Sequence, residues 1–338
     1  MPPESGPQEF PVRRQARRPR TKSMGESLTV KGLFEKKGME LALEIVSGEE
    51  GLDRQITSSE TNCMGLALTG FFAYFHYKRI QILDLDEITY IKTHRIRGDV
   101  FEKIFSFDIP AIVITRNLDI PFEFIKLSQK HNTPILRTTL ETGRFITELT
   151  KYLDDALAPS AIKHGVLMNV LGMGVLILGK SSIGKSECAL ELIKRGHLLV
   201  ADDIVEIKKR APGDLEGSGG ELIRHHMEIR GIGIIDIKNL FGISAVMDSS
   251  KIELVVQLEE WQGEKEYERL GIEDKFIEIL GVKLPEVTIP VKPGRNLAAI
   301  IEVASMNQRL KLTGYHTARE LDKRLIEMMK EKENKDII

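Results

Sequence analysis

The chain has 338 residues, of which 42% are hydrophobic and 29% charged, and its formal net charge is -2. This composition is typical of a soluble globular protein of about two domains and excludes fibrous and disordered classes. The near-neutral charge makes nucleic acid an unlikely partner, and without an apolar run of about 18 residues we expect no membrane partner. Cys63 and Cys188 lack a metal-binding spacing, which predicts a reduced, cytoplasmic setting.

Residues 1–27 form the first segment, a basic arm. Six Arg and Lys residues lie between Arg13 and Lys22 among prolines and polar residues, without the apolar stretch of a signal peptide. Such a segment cannot bury enough surface to fold, so we expect a disordered arm. An anion-binding arm is the alternative.

Residues 28–157 predict a small N-terminal α/β domain. Short apolar runs at 79–83, 111–115 and 133–136 are typical of strands, and the last two have the continuous apolar character of interior parallel strands. Residues 123–130 suit the crossover helix between them. A helix over 145–156 and the sequence Ala-Pro-Ser at 158–160 then predict a boundary near Leu157.

The second domain, 158–338, opens with an apolar run at 164–171 that predicts one strand of a hairpin, with His164 at its end. A lone histidine is more often an ordinary residue than a catalytic one, and both readings stay open. Residues 175–178 predict a buried strand, and 186–195 predict a helix that ends at Gly196.

Between that strand and that helix lies the sequence Gly-Lys-Ser-Ser-Ile-Gly-Lys-Ser, which fits the phosphate-loop pattern G-x-x-x-x-G-K-[ST]. In such a loop the backbone amides surround a phosphate, the lysine reaches the β- and γ-phosphate oxygens, and the final serine ligates Mg²⁺. Strand, loop and helix come in the required order. The sequence therefore predicts a nucleotide-phosphate site, rather than a plain glycine-rich turn, formed by Gly179, Lys180, Ser181, Ser182, Ile183, Gly184, Lys185 and Ser186.

The apolar run 197–201 ends in Asp202 and Asp203, as the second acidic strand of phosphate-loop proteins does. Adjacent side chains in a strand point to opposite faces, so the two carboxylates cannot have the same role. One of them should face the phosphates. A solvated strand end is the alternative.

Three later stretches are also informative: two contain charged residues near glycine or proline, and one has an amphipathic pattern. Residues 227–236 combine Glu228 and Arg230 with two glycines, which permit close backbone approach. Residues 290–295 place Lys292 and Arg295 in a proline-stiffened loop that could grip an anion or could be a solvated turn. Residues 317–332 predict an amphipathic helix with a packing role, although contact with a partner stays open.

Taken in order, these stretches resemble the bacterial HPr kinase/phosphorylase family from about Thr29 onward. The resemblance is carried by several segments together and is far more specific than the phosphate loop alone. The matching segments are 164–167, 179–187, 201–203, 228–236, 267–271, 290–296 and 296–310.

This resemblance implies a bifunctional enzyme. It would phosphorylate a serine of HPr, the phosphocarrier protein of the sugar phosphotransferase system, with ATP or pyrophosphate as donor. In the other direction, inorganic phosphate would attack the phosphoserine and release pyrophosphate. The family has an N-terminal α/β domain and a phosphate-loop kinase domain similar to phosphoenolpyruvate carboxykinase, and it assembles as a homohexamer.

The resemblance also implies residue roles. Asp203 would be the general base, and His164, Lys185 and Arg269 would be further catalytic residues. Ser186 and Glu228 would hold Mg²⁺, and the segment Pro290, Val291, Lys292, Pro293, Gly294 and Arg295 would serve phosphorolysis.

The chain departs from the family pattern at three places. Lys180 stands where the loop usually carries an acid, Cys63-Met64 stands in place of Arg-Pro, and Glu268 replaces an aspartate.

Two other functions stay open at this point. The chain could be a small-molecule phosphotransferase of the carboxykinase type or a nucleotide-binding regulator without turnover.

Overall fold

The computed structural model describes residues 28–94, 96–210, 213–263 and 273–335. The basic arm, residues 1–27, lies outside the described residues. The first α/β unit has the following helices and strands: α1 (Val30–Lys37), β1 (Leu43–Ser47), β2 (Thr61–Cys63), α2 (Gly65–Leu68), β3 (Ile80–Leu83), α3 (Leu85–Thr93), α4 (Gly98–Ser106), β4 (Ile112–Ile114), α5 (Phe122–His131), β5 (Ile135–Thr138) and α6 (Thr142–Ala156).

These strands form one five-stranded sheet in the order β1-β5-β4-β3-β2. The three predicted strands are confirmed as β3, β4 and β5, and they pair in parallel as expected. The crossover helix between the last two is α5. The short strands β1 and β2 were not predicted, and β1 closes one edge in antiparallel pairing with β5.

Apolar side chains cover both faces of this sheet. Phe105 and Phe124 belong to the core on one face, whereas Phe145 and Leu149 of α6 belong to the core on the other. Burial on both faces explains why the interior strands are continuously apolar instead of alternating. The predicted boundary near Leu157 lies in the short stretch between α6 and the next strand.

The second unit contains β6 (Ser160–His164), β7 (Val166–Val170), β8 (Met173–Gly179), α7 (Lys185–Lys194), β9 (Leu198–Ala201), β10 (Ile204–Arg210), β11 (Asp214–Gly219), β12 (His226–Ile229), β13 (Gly233–Asp236), α8 (Ile237–Phe241), β14 (Ser249–Lys251), β15 (Leu254–Glu260), β16 (Lys275–Ile279), β17 (Val282–Val291), α9 (Leu297–Leu312) and α10 (Thr317–Lys335).

A six-stranded sheet in the order β16-β17-β15-β8-β7-β9 forms the centre of this unit. Strands β8, β15 and β17 are parallel, and β7 runs antiparallel to both β8 and β9. The strands β8, β9, β15 and β17 therefore all end at the same edge of the sheet. We call this edge the carboxyl edge, and the candidate site forms there.

Two smaller sheets flank this centre. Strands β14, β11, β10 and β6 form a four-stranded antiparallel sheet, and β12 pairs with β13 as a two-stranded ribbon. Asp155 of α6 forms ion pairs of 2.7 Å with both Lys208 and Arg210 of β10. These pairs link the last helix of the first unit to the sheet that begins the second.

The predicted hairpin is confirmed as β7 and β8. Its turn residues, Leu171 and Gly172, both have positive φ, as a tight hairpin turn requires. The assignment of His164 to this strand is wrong, because His164 ends the preceding strand β6. Gly165 separates the two strands, and a Cβ atom there would lie 2.6 Å from the carbonyl oxygen of Ile177.

The C-terminal amphipathic helix is confirmed as α10, but its packing role is not. Leu321, Leu325 and Met328 are exposed in the described chain.

Within the described residues, no helix combines the length and the apolar character needed to cross a membrane. Cys188 is buried in α7, and burial raises the pKa of its thiol to about 12, as expected of an unreactive packing residue.

Candidate active site

The phosphate loop joins the end of β8 to the start of α7. Gly179 and Gly184 have φ of 155° and 97°, a backbone conformation that favours glycine, and Ile183 is buried and anchors the loop in the core. Lys185 begins α7, and its Nζ donates to the carbonyl oxygens of Gly179 and Lys180 at 3.0 Å each. Its ammonium group therefore lies across the loop, where a phosphate would be held.

Ser182 is the strained member of the loop. Its φ is 71°, a left-handed value that costs a residue with a side chain about 1 kcal/mol or more. A guanidinium nitrogen of Arg230 donates to Ser182 Oγ. Arg230 lies in the turn between β12 and β13, so this contact ties the ribbon to the phosphate loop.

Asp202 is the buried member of the acidic pair, with 7% of its surface exposed. Its carboxylate accepts from Ser186 Oγ at 3.0 Å and 3.2 Å and from the backbone N–H of Glu228 at 3.3 Å. Burial raises the pKa of Asp202 to about 6, the neighbouring Asp203 charge adds to the increase, and these two hydrogen bonds oppose it. Asp202 thus connects the last residue of the phosphate loop with the ribbon.

Asp203 faces solvent on the other side of the same turn. Its backbone is left-handed, with φ of 68°, and its carbonyl accepts from the N–H of Gly165 at 3.0 Å. His164 Nδ1 lies 3.9 Å from Asp203 Oδ1, close enough for an electrostatic interaction but too far for a direct hydrogen bond. The two adjacent acids therefore occupy different environments, as expected, although the left-handed turn after β9 separates them rather than strand alternation, because β9 ends at Ala201.

The loop of residues 290–295 begins with the last two residues of β17 and lies at the carboxyl edge. Lys292 Nζ lies 5.1 Å from the centre of the Trp261 ring, within cation–π range. Arg295 donates through Nη1 to the carbonyl of Pro290 at 3.0 Å, which closes the loop on itself. Gly179 pairs with Leu258, and Leu258 pairs with Ile289, so this loop starts two strands, roughly 10 Å, from the phosphate loop.

The fold thus brings most of the expected site residues to one edge of one sheet. The phosphate loop and Asp203 lie at the ends of β8 and β9, residues 290–295 begin at the end of β17, and His164 precedes β7 at the same edge. Glu228 reaches this edge through its backbone bond to Asp202. Arg269, with the segment 267–271 that contains Glu268, lies outside the described residues, and its role stays a prediction.

Sequence reasoning did not assign functional roles to Asp202 or to the Arg230–Ser182 contact. The sequence predicted different roles for the two acids, but it did not show which one is buried. The partners of Asp202 come from α7 and β12, remote in sequence, and only the tertiary fold brings them together.

Oxygen groups suitable for Mg²⁺ lie beside the phosphate loop. Ser186 Oγ and the Asp202 carboxylate are in direct contact, and Glu228 is exposed on the adjoining strand. No group of three or more His, Cys, Asp or Glu side chains forms a metal cluster in the described part of the chain. Mg²⁺ commonly takes only one or two protein carboxylates together with substrate phosphates, so this donor set fits it.

Comparison with known proteins identifies the family. The HPr Serine kinase N terminus family matches residues 28–153, and the HPr Serine kinase C-terminal domain family matches residues 155–325. The chain belongs to the HPr kinase/phosphorylase family.

Two relatives in this family show the extent of the similarity. An HPr kinase/phosphorylase of Caldicellulosiruptor bescii is 51% identical over 294 residues, which cover 86% of this chain and 94% of that protein. A second, of Caldanaerobacter subterraneus subsp. tengcongensis, is 48% identical over 292 residues and 96% of its length. The solved Hpr(Ser) kinase/phosphatase from Coxiella burnetii is 36% identical, with a TM-score of 0.44, over 48% of this chain and 98% of that one.

Proposed function

We propose that this protein is a bifunctional kinase/phosphorylase of HPr in the cytoplasm. It transfers a phosphoryl group from ATP or pyrophosphate to a serine of HPr, and it reverses the modification with inorganic phosphate, giving pyrophosphate. The observation that supports this proposal most is the carboxyl edge of the six-stranded sheet. A phosphate loop with Lys185 and an exposed carboxylate, Asp203, meet there.

Asp203 acts as the general base in the forward direction. It takes the proton of the serine hydroxyl while the serine oxygen forms a bond to phosphorus and the bond to the leaving phosphate oxygen breaks. In reverse, protonated Asp203 returns that proton to the serine oxygen as inorganic phosphate attacks. His164, 3.9 Å from Asp203, is the nearby group whose charge influences this proton.

Lys185 and the loop amides bind the donor phosphates. The two carbonyl contacts of Lys185 are exchanged for phosphate oxygens when the donor binds. The family pattern gives Arg269 the role of stabilising negative charge on the transferring phosphoryl group. Lys180 adds a further positive charge to the loop and favours phosphate binding by simple attraction.

Ser186 and Glu228 are assigned to hold Mg²⁺, with Asp202 as their common partner. Bound there, Mg²⁺ would neutralise charge on the donor phosphates. The hydrogen bonds from Ser186 and from the backbone N–H of Glu228 hold the buried Asp202 carboxylate beside the phosphate loop. The loop 290–295 supplies Lys292 and Arg295 for the inorganic phosphate that phosphorolysis requires.

The proposed assembly is a homohexamer. Helices α9 and α10 expose several large apolar side chains, and exposed apolar surface of this kind can mark a protein contact. They are Val303, Met306, Leu312, Leu321, Leu325 and Met328. Such a surface fits the contacts between subunits that an assembly of this kind needs.

The decisive experiment combines the purified protein with HPr, first with ATP and Mg²⁺ and then with inorganic phosphate. We expect one seryl phosphate on HPr, followed by its loss together with the appearance of pyrophosphate. Label transfer from γ-labelled ATP to a metabolite instead of HPr would indicate a small-molecule phosphotransferase. Nucleotide binding without any transfer would indicate a regulator, and either outcome would refute the proposal.

A further inference from the structure

Trp261 lies at the carboxyl edge between the two loops that carry the assigned phosphate-binding cations. It follows β15, which has β8 on one side and β17 on the other, and these two strands lead into the phosphate loop and the loop 290–295. The backbone N–H of Trp261 donates to the carbonyl of Val291 at 3.1 Å, which extends the β15–β17 pairing by one step. The backbone of Trp261 is therefore fixed next to the residue that precedes Lys292.

The side chains of Trp261 and Lys292 form a cation–π contact. Lys292 Nζ lies 5.1 Å from the centre of the indole ring, and 46% of Trp261 is exposed. Among the residues that the structure describes, no carboxylate forms an ion pair with Lys292. The ring attracts the ammonium group through its electron-rich face and leaves the positive charge unneutralised.

A lysine placed in this way is suited to bind an inorganic anion. A free lysine side chain samples many rotamers, and ordering it around an anion costs conformational entropy. The ring removes part of this freedom before the anion binds, which is the usual gain from preorganisation. A carboxylate partner would also restrict the lysine, but it would compete with the anion for the ammonium charge. The ring has no lone pair, so the three N–H donors of Lys292 stay available for phosphate oxygens.

We propose that Trp261 is a positioning residue for phosphorolysis, because its ring holds the Lys292 ammonium ready for inorganic phosphate. This inference rests on the proposed function, which assigns Lys292 to the phosphate that attacks the phosphoserine. Trp261 acts through Lys292 and needs no contact with the reacting atoms. The ATP-dependent kinase reaction binds no inorganic phosphate as substrate, so the contact should matter in the phosphorolysis direction alone.

The test measures steady-state phosphorolysis of seryl-phosphorylated HPr at varied inorganic phosphate, together with the ATP-dependent kinase reaction. Trp261→Leu keeps an apolar side chain but removes the aromatic face, so the KM for phosphate should rise about three- to fivefold. Trp261→Phe keeps an aromatic face and should stay within about twofold of wild type. The kinase rate and the KM for ATP should stay within about twofold in both variants.

A double-variant cycle tests whether the ring acts through the lysine. In the Lys292→Ala background, Trp261→Leu should change kcat/KM for phosphate by less than about 1.5-fold, because the group that the ring positions is absent. The matched control is Tyr315→Leu, since Tyr315 is 45% exposed in the turn between α9 and α10, and it should change neither reaction. Trp261 is the only tryptophan of the sequence, so Lys292→Ala should also shift the tryptophan emission of the folded protein without any ligand.

The possible results separate the positioning role from the proposed function. An unchanged KM for phosphate in Trp261→Leu would overturn the positioning role and leave the proposed function intact. A parallel loss of kinase rate, or an equal effect of Trp261→Leu with and without Lys292, would overturn it as well, because the ring would then act through the fold. Emission unchanged by Lys292→Ala would contradict the contact even if Trp261→Leu did not fold. Failure of the wild type to dephosphorylate HPr with phosphate would instead refute the proposed function itself.

Discussion

Asp203 combines exposure, a left-handed backbone and proximity to His164, and each property suits a group that exchanges a proton with a large acceptor. A left-handed aspartate is held only where its surroundings compensate the backbone cost. Here the hydrogen bond from Gly165 and the pairing of β6 with β10 hold it. The carboxylate is thereby held in solvent, with 76% of the side chain exposed.

Replacing this carboxylate gives the first prediction. Asp203→Asn keeps the shape but cannot take a proton, so kinase and phosphorylase rates should both fall by about 10²-fold or more. Nucleotide affinity, measured by calorimetry, should change by less than about threefold, because the phosphate loop is untouched. Retained kinase turnover in this variant would refute the assignment of Asp203 as the base.

Arg295 gives a prediction that separates the two directions. Phosphorolysis must bind a second phosphate, so Arg295→Ala should reduce it about tenfold or more while the kinase rate stays within about threefold. Because Arg295 also bonds Pro290, Arg295→Lys is the control: it keeps the charge and loses the planar guanidinium. Partial recovery of phosphorolysis in the lysine variant would assign the effect to charge. Equal loss of both rates in the alanine variant would contradict the prediction.

The sequence identified the loop and the acidic pair because both depend on local spacing. It did not distinguish Asp202 from Asp203, since that difference arises from Ser186 and Glu228, brought in from other elements. The Ser182–Arg230 contact could not be predicted from the sequence either, because it joins residues 48 positions apart. Local pattern thus predicted candidate residues, and tertiary contacts decided how they are arranged.

The elements differ in how far sequence pattern revealed them. Strands β3, β4, β7 and β8 are mostly apolar, with Gln81 in β3 and Asn169 in β7 as exceptions, because helices or sheets cover both faces, and they were predicted. The four-stranded sheet was not. Strand β14 reads Ser-Ser-Lys and β11 contains two glycines, so neither has an apolar period, and the pairing partners stabilise them.

Gly165 lies between these two kinds of element: β6, in the four-stranded sheet, ends at His164, and β7, the first strand of the hairpin, begins at Val166. A methyl group there would lie 2.6 Å from the Ile177 carbonyl oxygen, so Gly165→Ala should lower the free energy of unfolding by about 1–3 kcal/mol. Gly143→Ala is the matched control, because a Cβ in α6 meets nothing within 4 Å and should be neutral or stabilising. Urea unfolding of both variants tests this, and equal stability of the two would contradict it.

Glu302 links α9 to the end of α7, the helix that carries the phosphate-loop lysine. Its carboxylate accepts from His197 Nε2 at 2.8 Å and from Arg195 Nη1 at 3.0 Å. The hydrogen bond from His197 is the main cause that lowers the pKa of Glu302 below its ordinary value of 4.5, and the Arg195 charge adds to it.

A carboxylate whose pKa is lowered on folding stabilises the protein above its ordinary pKa and loses that contribution as pH falls. Glu302→Gln should therefore lower the free energy of unfolding by about 1–3 kcal/mol at pH 7. The difference from wild type should shrink as the pH falls below about 4.5. Glu278→Gln on the exposed face of β16 is the control. A difference that stays constant with pH would show that the effect does not depend on the Glu302 charge.

At the scale of the whole molecule, α10 carries its apolar residues on one stripe. Leu321, Leu325 and Met328 follow the i, i+4, i+7 spacing of a helix face, which is typical of packing against a partner element. Sequence alone suggested that this partner lies in the same chain, yet all three side chains are exposed there. The packing role expected for α10 within the chain is therefore not confirmed among the described elements, and contact with a partner stays a prediction.

A second copy of the chain would cover this stripe, and substitution of its centre tests that. Leu321→Glu/Leu325→Glu places two charges where apolar contact is needed, so the assembly mass measured by light scattering should fall from that of the proposed hexamer toward that of the protomer. Met39→Glu is the control, because Met39 is equally apolar and exposed but lies near β1, in the first unit. Both variants should keep the wild-type circular dichroism spectrum, since neither position contributes to a core. An unchanged mass in the double variant would mean that the stripe does not hold the subunits together.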